Sequence, residues 1–183
     1  MLLKDLGDLA NTIIHEMTHG TVFIKNEIDM NENLATFVGD YGALEYLKRK
    51  NNQDTTIIDT YLKEVKEERK FSNYVISGAN KLDSIYKTFD NEIDTFEMRE
   101  IKMEFIQDWV LNIDSIEFPT YQNYKRRALK DLPDNTFFMG YLRYNKMQNE
   151  FEEEYLQKYD QDLKKYIKEL VFRFEEKKNW YDF

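Results

Sequence analysis

Apolar residues recur every three or four positions along most of this chain, and only 6 Gly and 2 Pro interrupt them. Leu34, Val38, Tyr41 and Leu44 keep that step, as do Ile58, Leu62, Val65, Val75, Ala79, Leu82, Tyr86 and Phe89, and then Met98, Ile101, Phe105, Trp109 and Ile113. A period near 3.6 buries one stripe of a helix, whereas a strand would need strict alternation, and no such alternation of convincing length is present. The pattern predicts a mainly α fold with little or no β-sheet. The first helix is expected over about 6–24, with Leu9, Ile13, Met17 and Gly20 as one buried row and Ile14, Val22 and Phe23 adding to it. A second helix is expected from Asn31 to Lys50, and Asn51 to Gln53 reads as a turn. A long third helix, capped by Asp54 or Thr55, carries a charge run from Glu64 to Lys70 that reads as a solvated face. Gly78 within it marks a close helix contact or a bend. A fourth helix, a short one within Tyr121–Arg127, and three more over Asn135–Asn145, Phe151–Tyr159 and Leu163–Phe174 complete a bundle, with Trp180 to Phe183 as a tail.

Composition narrows the partners. The formal charge is −9, so a nucleic acid gripped through its phosphates is disfavoured, and so is an anionic lipid surface. There is no cysteine, which removes disulfides and thiolate metal ligands together. No apolar run approaches the roughly 18 residues of a membrane span, and Leu2-Leu3 passes at once into Lys4 and Asp5, unlike a secretory signal.

The chemistry concentrates in His15-Glu16-Met17-Thr18-His19, whose two histidines are the only ones in the chain. Positions i and i+4 of a helix stand one above the other on one face, so both imidazoles can bind a single Zn²⁺. Glu16 follows His15 about 100° round the helix, where it reaches a water at the metal without being a ligand. This is the H-E-x-x-H pattern of zinc peptidases. A catalytic zinc wants a third protein ligand. It is not a third histidine, since Val22 and Lys25 stand where a metzincin has its Gly and His. Glu27, Asp29 and Glu32 are the nearby carboxylates; Glu32 is preferred because it opens a helix that can fold back on the first, whereas Glu27 and Asp29 fall in the connecting loop.

An H-E-x-x-H helix followed by Asn31-Glu32-Asn33-Leu34-Ala35-Thr36-Phe37-Val38 and then Gly42 is similar to the gluzincins, whose third zinc ligand is a glutamate. More narrowly the chain resembles a bacterial family of predicted aminopeptidases, and Asn135 through Tyr144 with the later Phe151 resembles that family's downstream block. The resemblance implies a helical zincin-like domain over 1–183, divided into a metal-binding helix pair (1–50) and a helical bundle (51–183). It implies Zn²⁺ as cofactor on His15, His19 and Glu32, a peptide substrate, and Glu16 as general base. Thr36 and Asp40 share a helix face with Glu32 and are candidates to orient the histidine rings. With no further histidine, an oxyanion donor must be tyrosine or arginine. Tyr144 is favoured because it falls on the resembling block, and Tyr141 lies one turn earlier. One departure stands out. Zincin peptidases place a sheet before the metal helix, yet fewer than twenty residues precede His15, so the chain is expected to be the helical C-terminal portion of a longer enzyme. The alternative function is a non-catalytic, zinc-bearing helical domain that binds a peptide or protein partner.

Overall fold

The computed structural model describes residues 2–50, 55–90, 92–116 and 124–178. Among them the chain is helical throughout, with no strand: α1 (Leu2–Thr21), α2 (Ile28–Lys50), α3 (Thr55–Tyr86), α4 (Thr95–Leu111), a 3₁₀ turn (Asn112–Ser115), α5 (Tyr124–Ala128), α6 (Asn135–Asn145), α7 (Gln148–Lys158) and α8 (Leu163–Lys178). The mainly α expectation is met. The turn read at Asn51–Gln53, the cap at Asp54 and the tail Trp180–Phe183 lie outside the described residues, as does the first part of the helix placed over Tyr121–Arg127. None of the described helices is long and apolar enough to cross a membrane. The chain divides into two compact units, Met1–Lys66 with Arg143–Phe183, and Glu67–Leu142.

In the first unit α1 lies against α2. The side that α1 buries is made of Gly7, Ala10 and Thr18, with Leu6, Asn11 and Ile14 half-buried around them. These are mostly small residues, and the helices approach closely because Gly42 of α2 has no side chain: a methyl group there would lie 2.8 Å from Ile14 Cγ2. About one turn before Ile14, Asn11 Nδ2 donates to Asp40 Oδ1 at 2.8 Å and to the Tyr61 hydroxyl at 3.2 Å. Burial, reinforced by the Asp40 charge, pushes the Tyr61 phenol well above its ordinary pKa, so it stays protonated.

The row expected to be buried on α1 is not. Leu9 is 55% exposed, Ile13 49% and Met17 65%, and Gly20 is exposed as well. The helix also ends at Thr21 rather than Ile24, and Phe23 points outward. Two apolar rows compete on α1, and periodicity alone does not rank them. The row beside the histidines wins because its small residues permit the close approach to α2, which turns Leu9, Ile13 and Met17 about 120–200° away from His15.

Phe37 centres the rest of this unit's core. It is fully buried, with the rings of Tyr41, Tyr155, Tyr166 and Phe151 at 4.6, 5.6, 5.7 and 5.8 Å between centroids. Leu34, Val38, Val22 and Leu170 fill the remaining space. At its edge Glu154 ties α7 to α8: it accepts from Arg173 Nη2 at 2.9 Å and from the Tyr166 hydroxyl at 2.8 Å. The Arg173 bonds, helped by Tyr166, hold the Glu154 carboxyl down at about 2 despite its partial burial.

The second unit is built on Trp109 of α4. Its indole lies against Gly78 of α3, where a methyl group would come within 2.5 Å of Nε1, so the glycine marks a close contact rather than a bend. Tyr74 stacks on the same indole at 4.9 Å and donates to the Trp109 carbonyl at 2.6 Å. Phe71, Val75, Leu82, Ile106, Val110 and Phe138 close the core. Asp94 caps α4 by accepting from Glu97 N at 2.8 Å. The charge run is not wholly solvated, because Glu67 is buried. It stands four and eight residues before Phe71 and Val75, on the row that α3 turns inward.

Two stability predictions follow. In Gly42→Ala, a methyl group 2.8 Å from the β-branched Ile14 side chain puts the overpacking cost at the upper part of the usual range, about 2–3 kcal/mol. That outweighs the roughly 1 kcal/mol by which alanine is the better helix former. The urea midpoint should fall by the equivalent of about 1–2 kcal/mol, and an unchanged or higher midpoint would contradict the close approach. The second concerns pH. Glu154 has a native pKa of about 2, below its unfolded value. Its contribution is therefore complete above about pH 4.5 and is lost as pH falls toward 2. Arg173 is 36% exposed, so solvent screening limits the pair to about 1–2 kcal/mol. Arg173→Met should lose that amount at pH 7 and only a small part of it at pH 2, where Glu154 is about half protonated, as read by denaturant titration at both values.

Candidate metal centre

The turn between α1 and α2 brings the two histidines to the glutamate. Val22 N bonds back to the Thr18 carbonyl at 2.8 Å, and the Val22 side chain anchors in the core. Asn26 takes the left-handed conformation (φ 65°) that a short polar side chain tolerates and that reverses the chain. Asn31 then closes the loop with both ends of its amide: Oδ1 accepts from Ile24 N and Nδ2 donates to Ile24 O, each at 2.8 Å. As a result α2 starts at Ile28, three residues before the position expected from sequence, and Asp29 is part of its first turn rather than the loop.

Glu32 consequently faces His15 and His19. Its Oε2 lies 3.3 Å from His15 Nε2 and 3.5 Å from His19 Nε2. All three ligand atoms fall within 4.8 Å of one another. The histidine rings stand edge to face, 5.0 Å between centroids at 83°. Tetrahedral zinc with bonds of about 2.0–2.1 Å places its ligand atoms about 3.3–3.4 Å apart. The two distances match that edge, and they are longer than the 2.7–3.2 Å of a good N–H···O hydrogen bond. Three lone-pair donors converging on one point also suit a cation, which relieves their mutual repulsion. The residues present therefore fit a His₂Glu metal site, and the side chains are only 16%, 27% and 21% exposed. Among the described residues this is the one cluster of its kind. Glu27 is exposed in the turn, and Asp29 accepts instead from Arg143 Nε at 3.3 Å, so neither joins it.

Glu16 lies outside the cluster and is exposed. Tyr144, at the end of α6, is brought to the site: its ring centroid is 6.2 Å from that of His15, tilted by 32°, and the residue is 40% exposed. Tyr141, one turn earlier, belongs to the aromatic core of the other unit with Phe71 and Phe137. Burial raises its phenol pKa, and the Glu68 charge adds to the rise. Of the two residues proposed to orient the histidines, Asp40 receives Asn11, and Thr36 is half-buried one turn beyond Glu32.

Sequence reasoning missed the amides that hold these groups. Asn33 is almost wholly buried. Its Nδ2 donates to the carbonyls of Asp29 and Arg143, and its Oδ1 accepts from Met147 N at 2.7 Å. Gln148, also buried, donates from Nε2 to Asn33 O at 2.8 Å and to Tyr144 O at 2.9 Å. The available signal was a polar residue in the buried period of α2, which must find partners somewhere in the fold.

The family model described as Putative aminopeptidase matches residues 1–179. The chain belongs to this family. No curated protein and no solved structure matches the chain. Membership supports peptidase-like chemistry on a peptide substrate, and within the family's 1–179 span the His15, His19 and Glu32 cluster could hold a metal ion.

If it does, zinc at about 1,000-fold over its dissociation constant should raise unfolding stability by about 4 kcal/mol. His19→Ala should abolish both that rise and the one-per-chain stoichiometry measured on protein purified without chelator. Equal zinc content in wild type and variant would rule out this ligand set.

Proposed function

We propose that the chain is a zinc-dependent peptidase of the gluzincin type, with the metal on His15 Nε2, His19 Nε2 and the Glu32 carboxylate. The observation that carries the reading is the pair of 3.3 and 3.5 Å distances from Glu32 to the histidines, matched to a tetrahedral edge. When bound, zinc supplies Lewis acidity, polarising the scissile carbonyl and lowering the pKa of water toward about 7.

The chain's own residues do the rest. The histidines bind as neutral imidazoles, and Glu32 supplies the single negative charge among the ligands. Glu16 follows His15 in sequence but is exposed, so its carboxylate meets water and substrate. It takes the proton from the attacking water and passes it to the departing amine nitrogen, which lets the C–N bond break without expelling an amide anion. Tyr144, beside His15 and part-exposed, donates its hydroxyl hydrogen bond to the carbonyl oxygen as negative charge develops there. Aminopeptidase activity, a preference for a free N-terminus, comes from the family's description.

Glu16→Gln keeps the shape but removes the negative charge and cannot carry a proton. It should retain zinc and lose about 10²–10⁴-fold in kcat, about 3–5 kcal/mol of barrier, with KM little changed. Tyr144→Phe should lose about 10²–10³-fold, again in kcat. Peptide hydrolysis by a zinc-loaded Gln variant at the wild-type rate would remove Glu16 from the mechanism.

A further inference from the structure

We propose that Asn33 and Gln148 are positioning residues for Tyr144: together they fasten the α6–α7 turn to α2 and so fix the tyrosine beside His15. The inference rests on the peptidase reading for Tyr144's role, though not for its placement.

Tyr144 stands at the end of α6, where the last carbonyls of a helix have no partner within the helix. A residue there would ordinarily fray. Instead the turn 143–148 is bonded at four points to residues of α2. Asn33 Nδ2 donates to Arg143 O, one residue before the tyrosine, and Asn33 Oδ1 accepts from Met147 N at 2.7 Å. Gln148 Nε2 bridges Tyr144 O and Asn33 O, at 2.9 and 2.8 Å. Arg143 Nε reaches Asp29 Oδ1 at 3.3 Å on the outside. Gln148 is 4% exposed and its Oε1 has no hydrogen-bond partner, so the two Nε2 bonds account for its polar role.

Asn33 follows Glu32 directly. The residue that receives the tyrosine's turn is therefore rigidly linked, through one peptide bond, to a proposed metal ligand. Asn31 holds the other side of Glu32 by its double bond to Ile24. The segment Asn31-Glu32-Asn33 thus registers three things against one another: the α1–α2 loop, the carboxylate, and the tyrosine. Displacing a donor by about 1 Å can cost about 10²-fold in rate, so a rigid mount for Tyr144 has a function of its own.

The test uses the full chain labelled with 3-fluorotyrosine, with the Tyr144 fluorine signal assigned by its loss in Tyr144→Phe. In wild type, added zinc should shift this signal. In Gln148→Met, which keeps the volume and removes the amide, zinc should still bind, while the Tyr144 signal broadens and loses its response. In kinetics, Gln148→Met should lower kcat about 10–100-fold with KM nearly constant, and should have no further effect in a Tyr144→Phe background. A merely structural role would lower kcat equally in both backgrounds, and that result would overturn the proposal. So would an unaltered Tyr144 signal in the variant, or a wild-type signal indifferent to zinc. Gln148→Leu serves if the Met variant does not fold by circular dichroism. If wild type shows the zinc response and the variant loses it, yet neither hydrolyses any peptide, the peptidase reading fails and the positioning stands.

Discussion

The contact of α1 with α2 is the constraint on which the site depends. It is close because Ile14 fits over Gly42, and it is in register because Asn11 bonds to Asp40. Sliding α1 by one turn would drive Ile14 into a side chain and strand a half-buried amide. The same register sets His15 and His19, about one and two turns along α1 from Asn11, opposite Glu32, about two turns along α2 from Asp40. The cluster of His15, His19 and Glu32 is thus set by two helices and a six-residue turn that Asn26 reverses and Asn31 pins.

The support behind Glu32 is aromatic. Phe37 lies five residues further along α2, enclosed by four rings from α2, α7 and α8, and such clusters add edge-to-face attraction to their buried area. Three of the neighbours are tyrosines, whose hydroxyls must be satisfied: Tyr41 pairs with Glu152, Tyr155 with the Gln161 carbonyl, and Tyr166 with Glu154. The high tyrosine content is thereby spent largely on core packing with polar exits at the rim. Tyr144 differs: it is part-exposed and has a histidine ring for a neighbour.

Helix existence was legible in the sequence, because apolar spacing reports a local property. The long α3 and the bounds of α6 followed from it directly. The juxtaposition of His15 and His19 was legible for the same reason, since i and i+4 are neighbours on any helix. What could not be read were choices decided by distant partners. Leu9–Ile13–Met17 and Ala10–Ile14–Thr18 are both acceptable rows on α1, and only the glycine 28 positions after Ile14 selects between them. Glu67 looked like one charge in a run, and its burial depends on which side of α3 turns inward. The Asn33–Gln148 bond joins residues 115 positions apart, so no local pattern could announce it.

Helical geometry also explains how one short element supplies groups with opposed requirements. The metal ligands proposed for this chain need shelter and fixed rotamers, whereas the proposed proton carrier, Glu16, needs access to water and substrate. Around α1, with His15 at the origin, His19 falls at about 40°, Glu16 at about 100°, and Leu9, Ile13 and Met17 at about 120–200°. Exposure follows that order: half-buried for both histidines against α2, exposed for Glu16, and exposed for the apolar row beyond it. Glu16 thus sits at the border between the sheltered and open sides of the helix. A carboxylate in place of Ile13 or Met17, three positions earlier or one later, would stand wholly on the open side, too far round to share a water with the histidines. Under the proposed mechanism, the 100° step is what makes a glutamate adjacent to His15 able to reach a water held by both histidines.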